Sequence, residues 1–225
     1  MRALLRFVLP ILSAFFVSMA ACPVEADTFT FVTGAGATNG GLPVSAEADI
    51  ITGRPVDIFR VTLTNLQAPT NVAQALSDFE FTLGNGATTA GATLFAPPVG
   101  GETTIRLSDG AFTRAIPVAA GWVLNIIDAT TLQLIDVAPD HLLLGGPSNP
   151  PGNYSNADTS IRGNVFLLDR LTFLIMVPSV NSTTTFTSGE FSFPTPLPAA
   201  LPLFATGLAG LGLLGWRRKR KAAAL

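Results

Sequence analysis

Phe59-Arg60-Val61-Thr62-Leu63-Thr64 and Phe79-Glu80-Phe81-Thr82-Leu83 decide the fold, because both alternate apolar and polar residues without a break. Successive side chains of an extended chain point to opposite faces, so period two sends Phe, Val and Leu one way and Arg, Glu and Thr the other. That is the signature of a strand with one buried face. The same alternation recurs outward along the chain. Phe29 and Phe31 alternate with Thr28 and Thr30, Ile105 and Leu107 flank Arg106, and Phe191 and Phe193 flank Ser192. Thr, Val, Phe and Ile suit a pleated surface. Two longer apolar runs, Trp122–Ile127 and Leu171–Val177, read as central strands covered on both faces. The second is too short to cross a bilayer.

Turn-forming clusters separate these runs. They are Gly34-Ala35-Gly36, Asn39-Gly40-Gly41, Gly84-Asn85-Gly86, Pro97-Pro98, Gly100-Gly101, Gly145-Gly146-Pro147 and Pro150-Pro151-Gly152. Only Asn71–Ser77 reads as a short helical turn, closed by Ser77. Many short strands joined by Gly/Pro turns predict an all-β body, an antiparallel β-sandwich of jelly-roll or immunoglobulin-like type, over residues 27–194. No repeat of fixed period and no long linker divides it.

Composition narrows the function classes. Of 225 residues, 48% are hydrophobic and only 12% charged, which excludes a charge-rich disordered chain and a coiled coil. The body holds fourteen acidic residues and six arginines, a net charge of about −8, and no lysine. That balance disfavours nucleic acid and anionic lipid as partners.

The ends carry the strongest signals. Arg2 and Arg6 precede fifteen uncharged residues, Phe7 to Ala21, and Val24-Glu25-Ala26 supplies small residues before Asp27. This is a three-part export signal with an apolar helix, spanning 1–26, and it predicts cleavage after Ala26 by signal peptidase once the Sec translocon has engaged the chain. Met19-Ala20-Ala21-Cys22 offers a rival reading, lipid attachment at Cys22 as in a bacterial lipoprotein. A lone Cys has no disulfide partner. At the other end Leu197–Trp216 is twenty residues without a charge, followed at once by Arg217, Arg218, Lys219, Arg220 and Lys221. At about 1.5 Å per residue such a helix just spans a hydrocarbon core of about 30 Å. Trp216 sits where an interfacial aromatic belongs, and the five cations hold the end on the cytoplasmic side. Gly207, Gly210, Gly212 and Gly215 suit close approach of membrane helices.

Thr195-Pro196-Leu197-Pro198-Ala199-Ala200, the apolar span and the basic end, in that order, resemble the PEP-CTERM sorting tail. The variant whose consensus begins Val-Pro-Leu-Pro-Ala is the closest, with Thr195 in place of its Val. The resemblance covers residues 195–225, with the motif at 195–200, the transmembrane helix at 197–216 and the basic end at 217–221. It implies recognition of Thr195, Pro196, Leu197, Pro198 and Ala199 by an exosortase, a membrane-embedded cysteine protease-transpeptidase. It also implies a Gram-negative host and association with exopolysaccharide and biofilm. More loosely, the opening strand, Leu63-Thr64-Asn65-Leu66 and Phe191-Ser192-Phe193 resemble the domains that precede such tails.

The body reads as non-enzymatic. His141 is its only histidine, its neighbour Asp140 is badly placed to orient it, and no Gly-x-Ser-x-Gly elbow exists. One His and one Cys make no zinc site. Asn153, Asn156 and Asp158 offer oxygen ligands suited to calcium but form no EF-hand loop, and Asx turns account for them. Asn153-Tyr154-Ser155 and Asn181-Ser182-Thr183 match the N-glycosylation sequon. No cofactor is expected. The reading is an exported surface protein, membrane-anchored with its body in the periplasm and then passed to the cell surface or matrix as a structural component. The alternative is a module binding exopolysaccharide, with Tyr154 as the exposed aromatic.

Overall fold

The computed structural model describes residues 27–52, 57–137, 141–147, 153–154 and 160–194. The expected signal helix, Cys22, Ala26, the expected sorting motif and membrane helix, and the basic end all lie outside the described residues. Among the described residues no helix is long and apolar enough to cross a membrane.

The body is all-β. Its strands are β1 (Thr28–Val32), β2 (Thr38–Asn39), β3 (Leu42–Pro43), β4 (Ala46–Thr52), β5 (Ile58–Asn65), β6 (Asp78–Leu83), β7 (Thr93–Ala96), β8 (Val99–Ile105), β9 (Phe112–Ala119), β10 (Trp122–Ile126), β11 (Thr131–Asp136), β12 (Leu143–Leu144), β13 (Val165–Leu168), β14 (Arg170–Met176) and β15 (Phe186–Ser192). A 3-10 turn, Val72–Gln74, falls where the sequence reading expects a helical turn. Asn71 caps it by accepting from the Ala73 amide, and Gln74 reaches back to the Asn71 amide.

A five-stranded sheet runs β1-β4-β5-β14-β7 and a four-stranded sheet β10-β11-β6-β15, every pairing antiparallel. The two share one core, as the layers of a β-sandwich do. From the five-stranded sheet come Ala46, Ala48, Ile50, Phe59, Val61, Leu63, Leu171, Phe173 and Ile175; opposite them lie Phe79, Phe81, Leu83, Trp122, Leu132, Leu134 and Phe186. Phe59 meets Phe81 edge-on at 6.0 Å and Phe186 at 5.2 Å, which fixes the contact between the layers. A third sheet, β12-β13-β8-β9, includes the parallel pair β12–β13. It carries a smaller core of Ile105, Leu142, Leu144, Tyr154, Ile161, Phe166 and Leu168.

Four readings need correction. Trp122–Ile127 forms an edge strand rather than a central one: β10 pairs with β11 alone and buries only Trp122. Leu171–Val177 is central in pairing but alternates, with Thr172 and Leu174 turned outward. Gly100-Gly101 lies inside β8, where a Cβ on Gly100 would stand 2.7 Å from the Leu167 side chain. Those glycines serve a close strand approach and an adjacent register shift, not a turn. Leu107 leaves the strand after Ile105 and is exposed.

Candidate functional site

The chain leaves the body under restraint. At the end of β15 the Ser77 amide and hydroxyl both donate to the Ser192 carbonyl, each at 3.0 Å. Two residues on, Asn39 Nδ2 donates to the Pro194 carbonyl at 2.6 Å and to the Ala73 carbonyl at 2.8 Å. Asn39 is held there by the β2–β3 hairpin, whose turn needs the positive φ of Gly40 (58°) and Gly41 (81°). The sequence showed Asn39-Gly40-Gly41 only as a turn; its second use is a long-range contact that no local pattern encodes. A groove of about 270 Å³ lies beside this exit, between β1 and β15, lined by Val32, Thr33, Ala37, Val44, Phe191 and Phe193 among others.

Phe29 packs on Phe186, and a Cβ on Gly189 would stand within 2.9 Å of three Phe31 atoms, so β1 and β15 run the same way along adjacent edges. Asp27 and Pro194 therefore leave the body at opposite ends. The expected site residues Ala26, Thr195, Pro196, Leu197, Pro198, Ala199, Trp216, Arg217, Arg218, Lys219, Arg220 and Lys221 lie beyond those two points, outside the described residues.

The outer faces carry rows of polar side chains. On the five-stranded sheet Thr30, Asp49, Thr62 and Thr172 form one row across four strands. Thr30 donates to Asp49 at 2.7 Å, and the Thr62 and Thr172 hydroxyls are 3.3 Å apart. Arg60 and Arg170 complete a shallow depression of about 320 Å³. It offers donors and acceptors but no nucleophile–base pair. On the other sheet Glu80 stands directly opposite Glu190 and Asp78 opposite Ser192.

Burial raises the Asp78 pKa above its ordinary value; hydrogen bonds from Ser192 and Gln133 oppose this, and the charge of Glu190 adds to it. Its carboxylate therefore costs stability at neutral pH, and that cost fades as pH falls through the folded-state pKa. Asp78→Asn is expected to remove this part of the pH dependence, read as a wild-type-minus-variant difference in melting midpoint that narrows on acidification. A difference constant with pH would refute it. Asp128 has the opposite sign. The Thr130 amide, with that of Thr131, lowers its pKa, so its contribution is present at neutral pH and lost in acid.

The remaining candidates do not assemble. His141 Nε2 lies 3.9 Å from Glu102, and its carbonyl accepts from Trp122 Nε1 at 3.0 Å, so it knits β8 to β10. Tyr154 is buried, not exposed: its hydroxyl donates to the Gly145 carbonyl at 2.7 Å and its ring meets Phe112 edge-on at 5.8 Å. It cannot be the sugar-stacking residue that the exopolysaccharide reading needs. Of Asn153, Asn156 and Asp158 only Asn153 is described, and no metal-ligating group of three forms among the described residues. Asn181 sits in an Asx turn, accepting from the Thr183 amide and hydroxyl at 2.8 and 2.7 Å. No protein-family model matches the chain. No curated protein matches it either.

Proposed function

We propose that this chain is an exported, non-enzymatic surface protein held at the membrane by its C-terminus, sorted by an exosortase and used as a structural envelope or biofilm-matrix component. The observation that carries the reading is the uncharged span Leu197–Trp216 closed by five successive cations. The export signal at 1–26 agrees with it. The geometry of the body suits the same role. β15 ends at Ser192 and the Pro194 carbonyl just beyond it is held by Asn39, so the motif beginning at Thr195 follows with no intervening spacer. The end opened by cleavage after Ala26 then points away from the bilayer. A sandwich of jelly-roll or immunoglobulin-like type, stable without disulfides, is a suitable body for such display.

Mass spectrometry of the mature protein from cells with an active exosortase is the test. The expected product begins at Asp27 and lacks the basic end. A chain intact to Leu225 would refute sorting and leave a tethered domain. Full-length protein dissolved in the cytosol would refute export as well.

A further inference from the structure

We propose that the face around the chain exit, built from residues 33–45 and 66–77, is a bilayer-contact surface that lies in the lipid headgroup layer. The inference rests on the membrane span at 197–216 proposed above and adds the part of the body that meets the lipid. Only Thr195 and Pro196 separate Pro194 from Leu197, so at no more than about 3.6 Å per residue Pro194 lies within about 11 Å of the start of the span. The headgroup layer is about 5–8 Å deep on each side of the hydrocarbon. Pro194 is therefore held at the lipid surface. The exit cannot swing clear of the body, because Asn39 holds the Pro194 carbonyl and Ser77 holds the Ser192 carbonyl. Those two residues belong to the two segments, and further bonds tie the segments into one face. Asn39 Nδ2 also donates to the Ala73 carbonyl at 2.8 Å, Gln74 Nε2 to the Pro43 carbonyl at 2.9 Å, and the Leu66 amide to the Ser45 carbonyl at 2.9 Å.

Reach and composition together select lipid as the occupant. The gap left between the exit and the headgroups is a few ångströms, too narrow for a layer of protein, which needs about 10 Å. Neither segment holds a charged residue, although the body carries fourteen acids and six arginines. The opposite end of the sandwich, by contrast, carries Asp27, Asp57 and Asp128. Anionic lipid repels a body of about −8 over most of its surface, so an uncharged face is the one that can approach it. Val32 at the end of β1 and Leu66 just past β5 are 60% and 51% exposed, and Ala35 and Pro43 are exposed on the first segment. Apolar side chains held at a lipid surface gain by entering it. Glu47, opposite Val32 in the strand register, and Asp78, next after Ser77, set the depth. Their charges belong at the wet outer margin, so the face enters the headgroups and stops short of the hydrocarbon.

The mature protein, exported and processed in a host without an exosortase so that its tail is retained, has no cysteine, because Cys22 leaves with residues 1–26. A fluorophore is attached at Ala35→Cys, at Ser182→Cys in the β14–β15 loop, or at Leu107→Cys after β8. Six strand steps from Ser192 to Phe186, at about 3.4 Å each, put the Ser182 loop about 20 Å farther out than the exit. Each protein is placed in phosphatidylcholine vesicles, a fraction of whose lipid carries a nitroxide quencher on the headgroup. Loss of most of the fluorescence is expected at Ala35→Cys and none at Ser182→Cys. Val32→Glu combined with Leu66→Glu is expected to restore the signal at Ala35→Cys. Both side chains are more than half exposed, so flotation with the vesicles and the melting midpoint should not change. Three outcomes would overturn the surface and leave the anchor standing: flotation without quenching at Ala35→Cys, quenching at Leu107→Cys in its place, or quenching that survives both added charges. Protein that does not float with the vesicles would refute the anchor, and the surface would fall with it.

Discussion

Asn65→Ala is expected to lower the unfolding free energy by about 2–4 kcal/mol, because it strands the Gln74 carbonyl and the Gln67 amide and leaves the Leu143 carbonyl with the Leu76 amide alone. Asn65 is buried at the end of β5. Its Nδ2 donates to the Gln74 carbonyl at 2.8 Å and to the Leu143 carbonyl at 2.9 Å, and its Oδ1 accepts from the Gln67 amide at 3.0 Å. One side chain thereby joins the five-stranded sheet to the 3-10 turn and to the third sheet. A Cβ on nearby Gly145 would stand 1.6 Å from the Gln67 carbonyl oxygen, so little space exists for water to replace the side chain. Asn65→Asp keeps the shape but supplies no donor and buries a charge, so it should not rescue. Equilibrium denaturation checks both variants. A loss below about 1 kcal/mol for Asn65→Ala would show that the junction is satisfied in another way.

Phe81→Ala should cost a similar amount, about 3–5 kcal/mol, by a different route. Phe81 is fully buried at the centre of β6. Its ring lies 5.5 Å from Phe79, 6.0 Å from Phe59 and 6.0 Å from Phe186, so it touches rings of both layers. Truncation leaves a cavity that three neighbouring rings cannot fill without leaving their rotamers. Phe81→Leu retains most of the apolar volume and should lose clearly less. Equal losses for the two variants would mean that ring contacts, rather than volume, hold the layers together.

The legible part of the fold was the part where apolar and polar residues differ most. β5 and β6 could be read residue by residue, since Phe, Val and Leu alternate with Arg, Glu and Thr. β4 was not seen because its inner face is built from Ala46 and Ala48, whose small side chains give a weak signal. β10 was misplaced for a related reason: an uninterrupted apolar run looks alike whether a sheet covers both faces or a strand leaves an edge bare. The third sheet escaped notice because β12 and β13 are short and β8 contains two glycines. Of the candidate site, the two ends are read from hydropathy and charge, which act locally, and both lie outside the described residues. The clamp at Asn39 and Ser77 and the burial of Tyr154 were not, because each depends on residues brought together by folding.

The restraint on the C-terminal strand has a mechanical side. A pull applied at Pro194 along the axis of β15 meets an antiparallel ladder that runs from Phe186–Leu83 to Ser192–Asp78. Those bonds lie across the strand, so such a force loads them together in shear instead of peeling them one by one. The Ser77 and Asn39 contacts stand first in its path. Under drag or surface tension, the body should hold at that strand long after a domain tethered through a loose loop would have begun to unravel.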